Sequence, residues 1–360
     1  SVHPTPSILN APSILILGGA GFIGRECARD LLGRGWRVVV LDDLSAGDQA
    51  QLSRVAPGAE FHEGDARDSQ NLARLLRELG PFQRVLHLAG RVGVGCVLDD
   101  PEGCRALTRD LAQSLCEALG SLPQAQRPRI LAASTSEVYC DGQGLLGEDA
   151  PLRSAKGQGR WAYAASRVEA EQVLDRWWTN LHGSRDPGAE GPIHLRFFNV
   201  TGPGHDPRTG MVLPRFIQAA RTGECLPVHG DGLQERTFAH VRDLGRDIGD
   251  LIEMGNAPGG PLNLGGVAHT SMIDLARLVL EAAGQPVDHI AHVDPCAVHP
   301  SFEEVRRRAP QLDRAHKLGL CLGHRGLLEL VHEMLDSPAD FDNPGSHALL
   351  PCASPASSPA

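Results

Sequence analysis

Tyrosine and lysine are almost missing from this chain of 360 residues, with two of each. The lysines, Lys156 and Lys317, stand against thirty-two arginines, a bias that reads as GC-rich codon usage. It gives an ordinary reason for arginine wherever lysine would be expected. The nine cysteines are scattered and form no C-x-x-C pair. Neither a metal site nor a disulfide framework is expected, and reduced thiols of a cytoplasmic protein fit better. No apolar run reaches the roughly 18 residues of a membrane span. No n-region and h-region of a secretory signal opens the chain. A long basic cluster is absent too, and the net charge is −10. That argues against nucleic acid or an anionic membrane as partner, and leaves any anionic ligand to local arginines.

What the chain does hold is glycine, 41 residues of it, between short apolar runs. Hydrophobic residues make up 41%, which at this length allows one large domain or two closely joined ones. Ile14-Leu15-Ile16-Leu17 and Arg37-Val38-Val39-Val40-Leu41 read as buried strands. Between them Phe22, Ile23, Cys27, Leu31 and Leu32 space out a helix over 22–33. The beat repeats with helix 69–79 and strand 84–89, helix 104–120 and strand 129–133, helix 161–178 and strand 193–198. Such alternation predicts an α/β protein, a doubly wound parallel sheet of Rossmann type covered on both faces. Beyond residue 200 the pieces shorten: a helix near 211–222, strands or loops at 226–229 and 234–241, helix 243–254, strand 261–264, helix 271–283. The expected organisation is a tail at 1–12, a dinucleotide-binding domain at 13–200, a smaller α/β lobe at 201–335 interleaved with it, and a disordered tail at 336–360.

Gly18, Gly21 and Gly24 form G-x-x-G-x-x-G between the first strand and its helix. That spacing lets the backbone turn tightly and approach a pyrophosphate, whose charge the helix N-terminus favours. Asp42 closes the second strand, eighteen residues beyond Gly24. A carboxylate there accepts bonds from the adenine ribose and repels a 2′-phosphate, so NAD is expected over NADP. Asp65 follows the third strand position and is a candidate for the adenine amino group.

The two tyrosines fall in two suggestive segments. Ser134-Thr135-Ser136-Glu137-Val138-Tyr139 follows the apolar run 129–133, and Tyr163 comes twenty-eight positions after Thr135 with Arg167 one helical turn on. A hydroxyl at a strand end followed by Tyr-x-x-x-cation suits alcohol oxidation. The phenol takes the proton while hydride leaves for a nicotinamide, and the cation stabilises the phenolate. Glu137 adds a carboxylate that simple alcohol oxidation does not need. His87 reads as a packed strand histidine, and Trp177 and Trp178 as packing at a helix end. His205, His229 and His240 lie in segments that could face a ligand.

Together LGGAGFIG, HLAG, STSEVY, Y-x-x-x-R, RFFNVTGPG and RRRAP resemble the extended short-chain dehydrogenase/reductases that act on nucleotide sugars. Thr135-Ser136-Glu137-Val138-Tyr139 with Arg160-Trp161-Ala162-Tyr163 is most similar to the UDP-glucuronic acid decarboxylases, which include UDP-xylose synthases. The resemblance implies that Tyr163 is the base at the sugar 4-hydroxyl and that Thr135 hydrogen-bonds that hydroxyl. Ser136 and Glu137 would sit at the carboxylate end, where Arg308 would contact the carboxylate. Phe22, Ile23, Ala66, Leu88 and Ala89 would join the NAD site with Tyr163 and Arg167. Asn199 and Arg236 would hold the diphosphate of a UDP-sugar, and Leu226 and Val228 would lie along the uracil. A homodimer built on the helix at 104–120 and the Tyr163 helix is also implied. The chain departs from the pattern at Arg167 (lysine in the family), Leu17 (threonine), Cys140 (glycine) and Thr108 (asparagine in many relatives). A guanidinium keeps the cation but is no equivalent of an ammonium. Three other readings stay open: a nucleotide-sugar 4-epimerase, a 4,6-dehydratase, and an NAD-binding homologue with little or no turnover.

Overall fold

The computed structural model describes residues 11–91, 100–142, 144–157, 161–183, 191–294 and 305–338. Arg160 and all but the inner edges of the two tails, 1–12 and 336–360, lie outside the described residues. The first half alternates as its apolar runs predict: β1 (Ser13–Leu17), α1 (Phe22–Gly33), β2 (Arg37–Asp42), α2 (Gln49–Val55), β3 (Glu60–Glu63), α3 (Ser69–Leu79), β4 (Arg84–His87), α4 (Pro101–Gly120), β5 (Arg129–Thr135), α5 (Ala162–His182) and β6 (Ile193–Phe198). Ile14 to Leu17 and Val38 to Leu41 are at most 1% exposed, because both faces of a parallel sheet are covered.

After β6 the pieces are β7 (Val200–Thr201), α6 (Val212–Thr222), β8 (Leu226–His229), β9 (Glu235–Thr237), β10 (Ala239–His240), α7 (Val241–Glu253), β11 (Gly260–Gly265), β12 (His269–Ser271), α8 (Met272–Ala282), β13 (Ile290–Val293), β14 (Arg307–Arg308), α9 (Asp313–Lys317) and α10 (Leu327–Asp336). The main sheet has seven strands in the order β11-β6-β5-β4-β1-β2-β3, every pair parallel. The strand order reverses between β1 and β4, and at such a switch point a crevice opens at the C-terminal ends of the strands. A separate apolar core, with Phe216, Leu226, Val228, Leu275 and Val331, holds the smaller lobe together. The chain does not stay in that lobe: α7 packs on α1, and β11 pairs with β6 to complete the first sheet.

Two helix ends differ from the periodicity. Helix α4 begins at Pro101, three residues before its apolar stripe, because Asp100 caps it by accepting from Gly103 N at 2.9 Å and proline suits the first turn. Helix α5 continues past Trp178 to His182 and stops at Gly183, which adopts φ +81°. Trp177 packs on the core between α3, α4 and α5, and Trp178 stacks on His182 at 3.7 Å.

One buried charge on α7 gives a testable consequence. Asp247 is 2% exposed, and its Oδ1 has no hydrogen-bond partner among the described residues. Burial, with Asp250, Asp243 and Asp30 nearby and only Arg246 opposing, pushes its carboxyl up to about 7. The folded protein therefore holds this proton more tightly than the unfolded chain. Stability is lost as pH rises from about 4, and the loss is complete above about 7. Asp247→Asn should leave the unfolding free energy unchanged near pH 4 and raise it at pH 8 by about 1–2 kcal/mol. Urea titrations at the two pH values check this, and equal effects at both would refute it.

Candidate active site

The crevice at the switch point is about 590 Å³ and open to solvent. The three glycines around it do different work. Gly18 has φ +77°, and a Cβ there would lie 2.6 Å from Ala89 N. A Cβ on Gly24 would sit 2.5 Å from Gly18 O, so Gly24 permits close packing inside the turn. Gly21 is the N-cap of α1, and only Gly18 O, at 3.2 Å, would approach its Cβ. Its outer side is therefore the surface a pyrophosphate can approach.

Asp42 ends β2 at 8% exposure. Its Oδ2 accepts from Ala20 N and its Oδ1 from Leu44 N, both at 2.9 Å, and burial raises its carboxyl above the ordinary range. Each oxygen keeps a lone pair for a ribose hydroxyl. Asp65 and Ala66 line the same crevice, with Leu88 and Ala89 opposite. Asp65 is held 2.6 Å from Arg67, whose hydrogen bonds keep its carboxyl below the usual range. Phe22 stacks on His205 at 4.3 Å, while Ile23 packs on the sheet core. His205 is thereby committed to packing, and burial drops it to about 4, so it stays neutral.

Across the sheet, β5 delivers Thr135 to its end, and a 3-10 turn, Ser136–Val138, carries Ser136 and Glu137 outward. Thr135 Oγ1 accepts from Glu137 N at 3.3 Å. Helix α5 packs on this turn and brings up Tyr163, which is half-buried against Cys104 and Ala162. Arg167 lies one turn further along α5, 6% exposed, with Cζ 5.4 Å from the Tyr163 ring. Its Nη1 donates to Ala133 O at 3.2 Å, which ties α5 to the strand two residues before Thr135. His87 is buried beside it, and burial with the Arg167 charge drops it to about 3. It is a neutral packed histidine, as its place in an apolar strand predicts.

The smaller lobe contributes Arg308 and Arg236. Arg308 sits in β14, whose parallel register with β9 places it beside Arg236. Arg308 Nη1 donates to Glu137 Oε1 at 2.9 Å across 171 residues of chain, and its Nη2 donates to Asn199 Oδ1 at 3.3 Å. Asn199 adopts φ +40°, a conformation asparagine tolerates better than most residues, and its Nδ2 donates to Thr237 O at 2.9 Å. Leu226 and Val228 could meet a base only through their backbone. Their side chains are at most 1% exposed and point into the lobe core, because residues two apart share one face of a strand. The backbone of β8 and the half-buried Pro227 and His229, on its other face, are left to meet a base. His240 caps α7 through Arg242 N and lies 3.2 Å from Glu333, so it serves the scaffold.

A buried network behind the strand end escaped the sequence reading. Glu171 and Arg196 pair at 2.7 Å, and Ser134 Oγ donates to Glu171 Oε1. Arg196 Nη1 donates to Tyr139 Oη at 3.0 Å, and Tyr139 Oη donates to Asn263 Oδ1 at 2.6 Å. Burial raises the Glu171 carboxyl, but the hydrogen bond and charge of Arg196, with His194 and Ser134, together outweigh it and leave the group below its ordinary range. Burial pushes the Tyr139 phenol up to about 12. The two tyrosines are thus separated: Tyr139 is locked in the scaffold, whereas Tyr163 is half-buried with Arg167 beside its ring. An arginine inside the apolar strand IHLRFF was the available signal, since a buried charge requires a partner.

Such a sheet, crevice and Tyr-x-x-x-cation helix define a dinucleotide-dependent enzyme class. A model of the NAD dependent epimerase/dehydratase family matches residues 14–265, and the chain belongs to that family. Its cofactor is NAD, and the open face of Gly21 and the Asp42 carboxylate fit that group. Among similar proteins is a UDP-N-acetyl-alpha-D-glucosaminuronate decarboxylase of Bacillus cytotoxicus, 29% identical over 311 residues, 84% of this chain and 90% of that protein. UDP-glucuronic acid decarboxylase 1 of Arabidopsis thaliana is 26% identical over 84% of this chain and 64% of its own length. A UDP-glucose 4-epimerase structure from Thermotoga maritima superposes with TM-score 0.76 at 24% identity, covering 90% and 97% of the two chains. No helix among the described residues is long and apolar enough to cross a membrane.

Proposed function

We propose that this protein decarboxylates UDP-glucuronic acid through a C4-keto intermediate, releasing UDP-xylose, its 4-keto pentose, or both. One observation carries the reading. The fold brings Arg308 from the second lobe to 2.9 Å from Glu137, beside Ser136 at the end of the Thr135 strand. A neutral C6 hydroxymethyl group gives an arginine nothing to hold, and a uronic acid does. The decarboxylases among the relatives are named for uronic acids, which supports the same choice.

Bound NAD supplies the hydride acceptor for C4 and can return the hydride afterwards. Tyr163 takes the proton of the sugar 4-hydroxyl, Thr135 hydrogen-bonds that hydroxyl, and Arg167 supplies the cation behind the phenol. A ketone at C4 is β to the C6 carboxylate, so the electrons left on C5 delocalise into it as carbon dioxide departs. Arg308 orients the carboxylate. Its Nε is buried and has no acceptor among the described residues. Glu137 disfavours a second negative charge next to it and can relay the proton to C5. Asn199 and Arg236 lie on the side where the diphosphate would be held. We also read the protein as a cytoplasmic homodimer, on the family resemblance and the scattered thiols.

The purified protein should carry NAD and release carbon dioxide from UDP-glucuronate, without stoichiometric added cofactor if the product is UDP-xylose; a strict need for stoichiometric NAD would mean that the 4-keto pentose is released. Absorbance at the nicotinamide band and trapping of labelled carbon dioxide measure the two. UDP-galactose formed from UDP-glucose, with no gas from UDP-glucuronate, would replace this reading with a 4-epimerase.

A further inference from the structure

Beside Glu137 is a small cavity that contains a second arginine. Arg153 lines it together with Ser136, Glu137, Trp161 and Arg308. The Arg153 guanidinium lies 3.3 Å over the Trp161 ring, and its Nη2 donates to Asp141 Oδ1. Its side chain is 16% exposed. Its Nε is buried and has no acceptor among the described residues, which is also true of Arg308 Nε. Arg153 and Arg308, from distant parts of the chain and each with a buried Nε that lacks an acceptor, thus line a single cavity, while its third arginine, Arg307, has its Nε 3.2 Å from Glu235. A buried N–H without an acceptor is unfavourable, and most such groups in proteins find one.

We propose that Arg153 is a second carboxylate-binding residue of the sugar site and shares the C6 carboxylate with Arg308. This rests on the uronic-acid reading above. The two oxygens of a carboxylate are acceptors of the right number and charge for both orphaned donors. Stacking on Trp161 fixes the plane of the guanidinium before ligand arrives, so less freedom is lost on binding. Trp161 is the N-cap residue of α5, two positions before Tyr163, which couples this subsite to the base. The alternative is that Arg153 only staples its own loop. Backbone bonds already do that: Arg153 N donates to Val138 O at 2.7 Å and Cys140 N to Pro151 O at 2.8 Å.

The test titrates NAD-loaded protein with UDP-glucuronate and with UDP-glucose by calorimetry. Arg153→Met should weaken UDP-glucuronate by about 10- to 100-fold and UDP-glucose by less than about 2-fold. Arg153→Lys keeps the charge and loses the fork, so it should weaken UDP-glucuronate by about 3- to 10-fold. Should the methionine variant fail to fold, the lysine variant decides. In turnover the change should fall on KM more than on kcat. Equal weakening of both sugars, or of neither, overturns the role of Arg153 and leaves the staple. A wild-type protein that binds both sugars equally overturns the uronic-acid reading itself, and this role with it.

Discussion

Replacing Tyr163 with phenylalanine should lower the decarboxylation rate by about 10²- to 10⁴-fold, the usual contribution of a positioned general base. Tyr163 Oη is the atom expected to accept the C4 proton, and no other phenol is at hand to replace it. The only other tyrosine in the chain, Tyr139, has its hydroxyl between Arg196 and Asn263. Its phenol, pushed up to about 12, is a poor base near neutrality. The contrast is the control. Tyr139→Phe removes a buried partner from Arg196 and should lower the unfolding midpoint, whereas Tyr163→Phe should leave the midpoint alone. Single-turnover absorbance at the nicotinamide band reads the C4 oxidation directly. Normal reduction of the cofactor in Tyr163→Phe would remove Tyr163 from the base role.

Arg308→Ala should cut turnover of UDP-glucuronate by roughly 30- to 1000-fold, equivalent to about 2–4 kcal/mol for a lost charge-assisted contact. Two effects add in that variant. The C6 carboxylate loses its cation, and Glu137 loses its partner at 2.9 Å in a site where both side chains are less than 15% exposed. Glu137→Gln keeps the shape and removes the charge, so it should bind substrate and fail at the decarboxylation or C5 protonation step. Nicotinamide reduction without carbon dioxide release would be its signature. NAD content should be unchanged in both variants, because neither residue lines the glycine crevice. If Arg308 and Glu137 formed only a surface ion pair, both variants would turn over normally with a stability change under about 1 kcal/mol. An epimerase would likewise tolerate Arg308→Ala on UDP-glucose.

The alternating strands and helices, the glycine turn, the acid closing β2 and the Tyr-x-x-x-Arg spacing were all determined by the sequence alone. Each is a short-range pattern, set by side-chain period, cap residues or a single turn of backbone, and it reads the same whatever the rest of the chain does. Where the short-range signal was a cap rather than a period, as at Asp100, the boundary was misjudged by the few residues between cap and first apolar position. The tertiary structure alone decided which distant residues meet. Parallel pairing of β14 with β9 sets Arg308 beside Arg236 and within reach of Glu137, and no local pattern encodes a contact across 171 residues. Strand period made Leu226 and Val228 equivalent, but only the lobe core showed that their shared face is the buried one. The same holds for the two tyrosines. Their sequence contexts are both suggestive, and the buried Arg196–Glu171 pair, assembled from β6 and α5, is what commits Tyr139 to the scaffold.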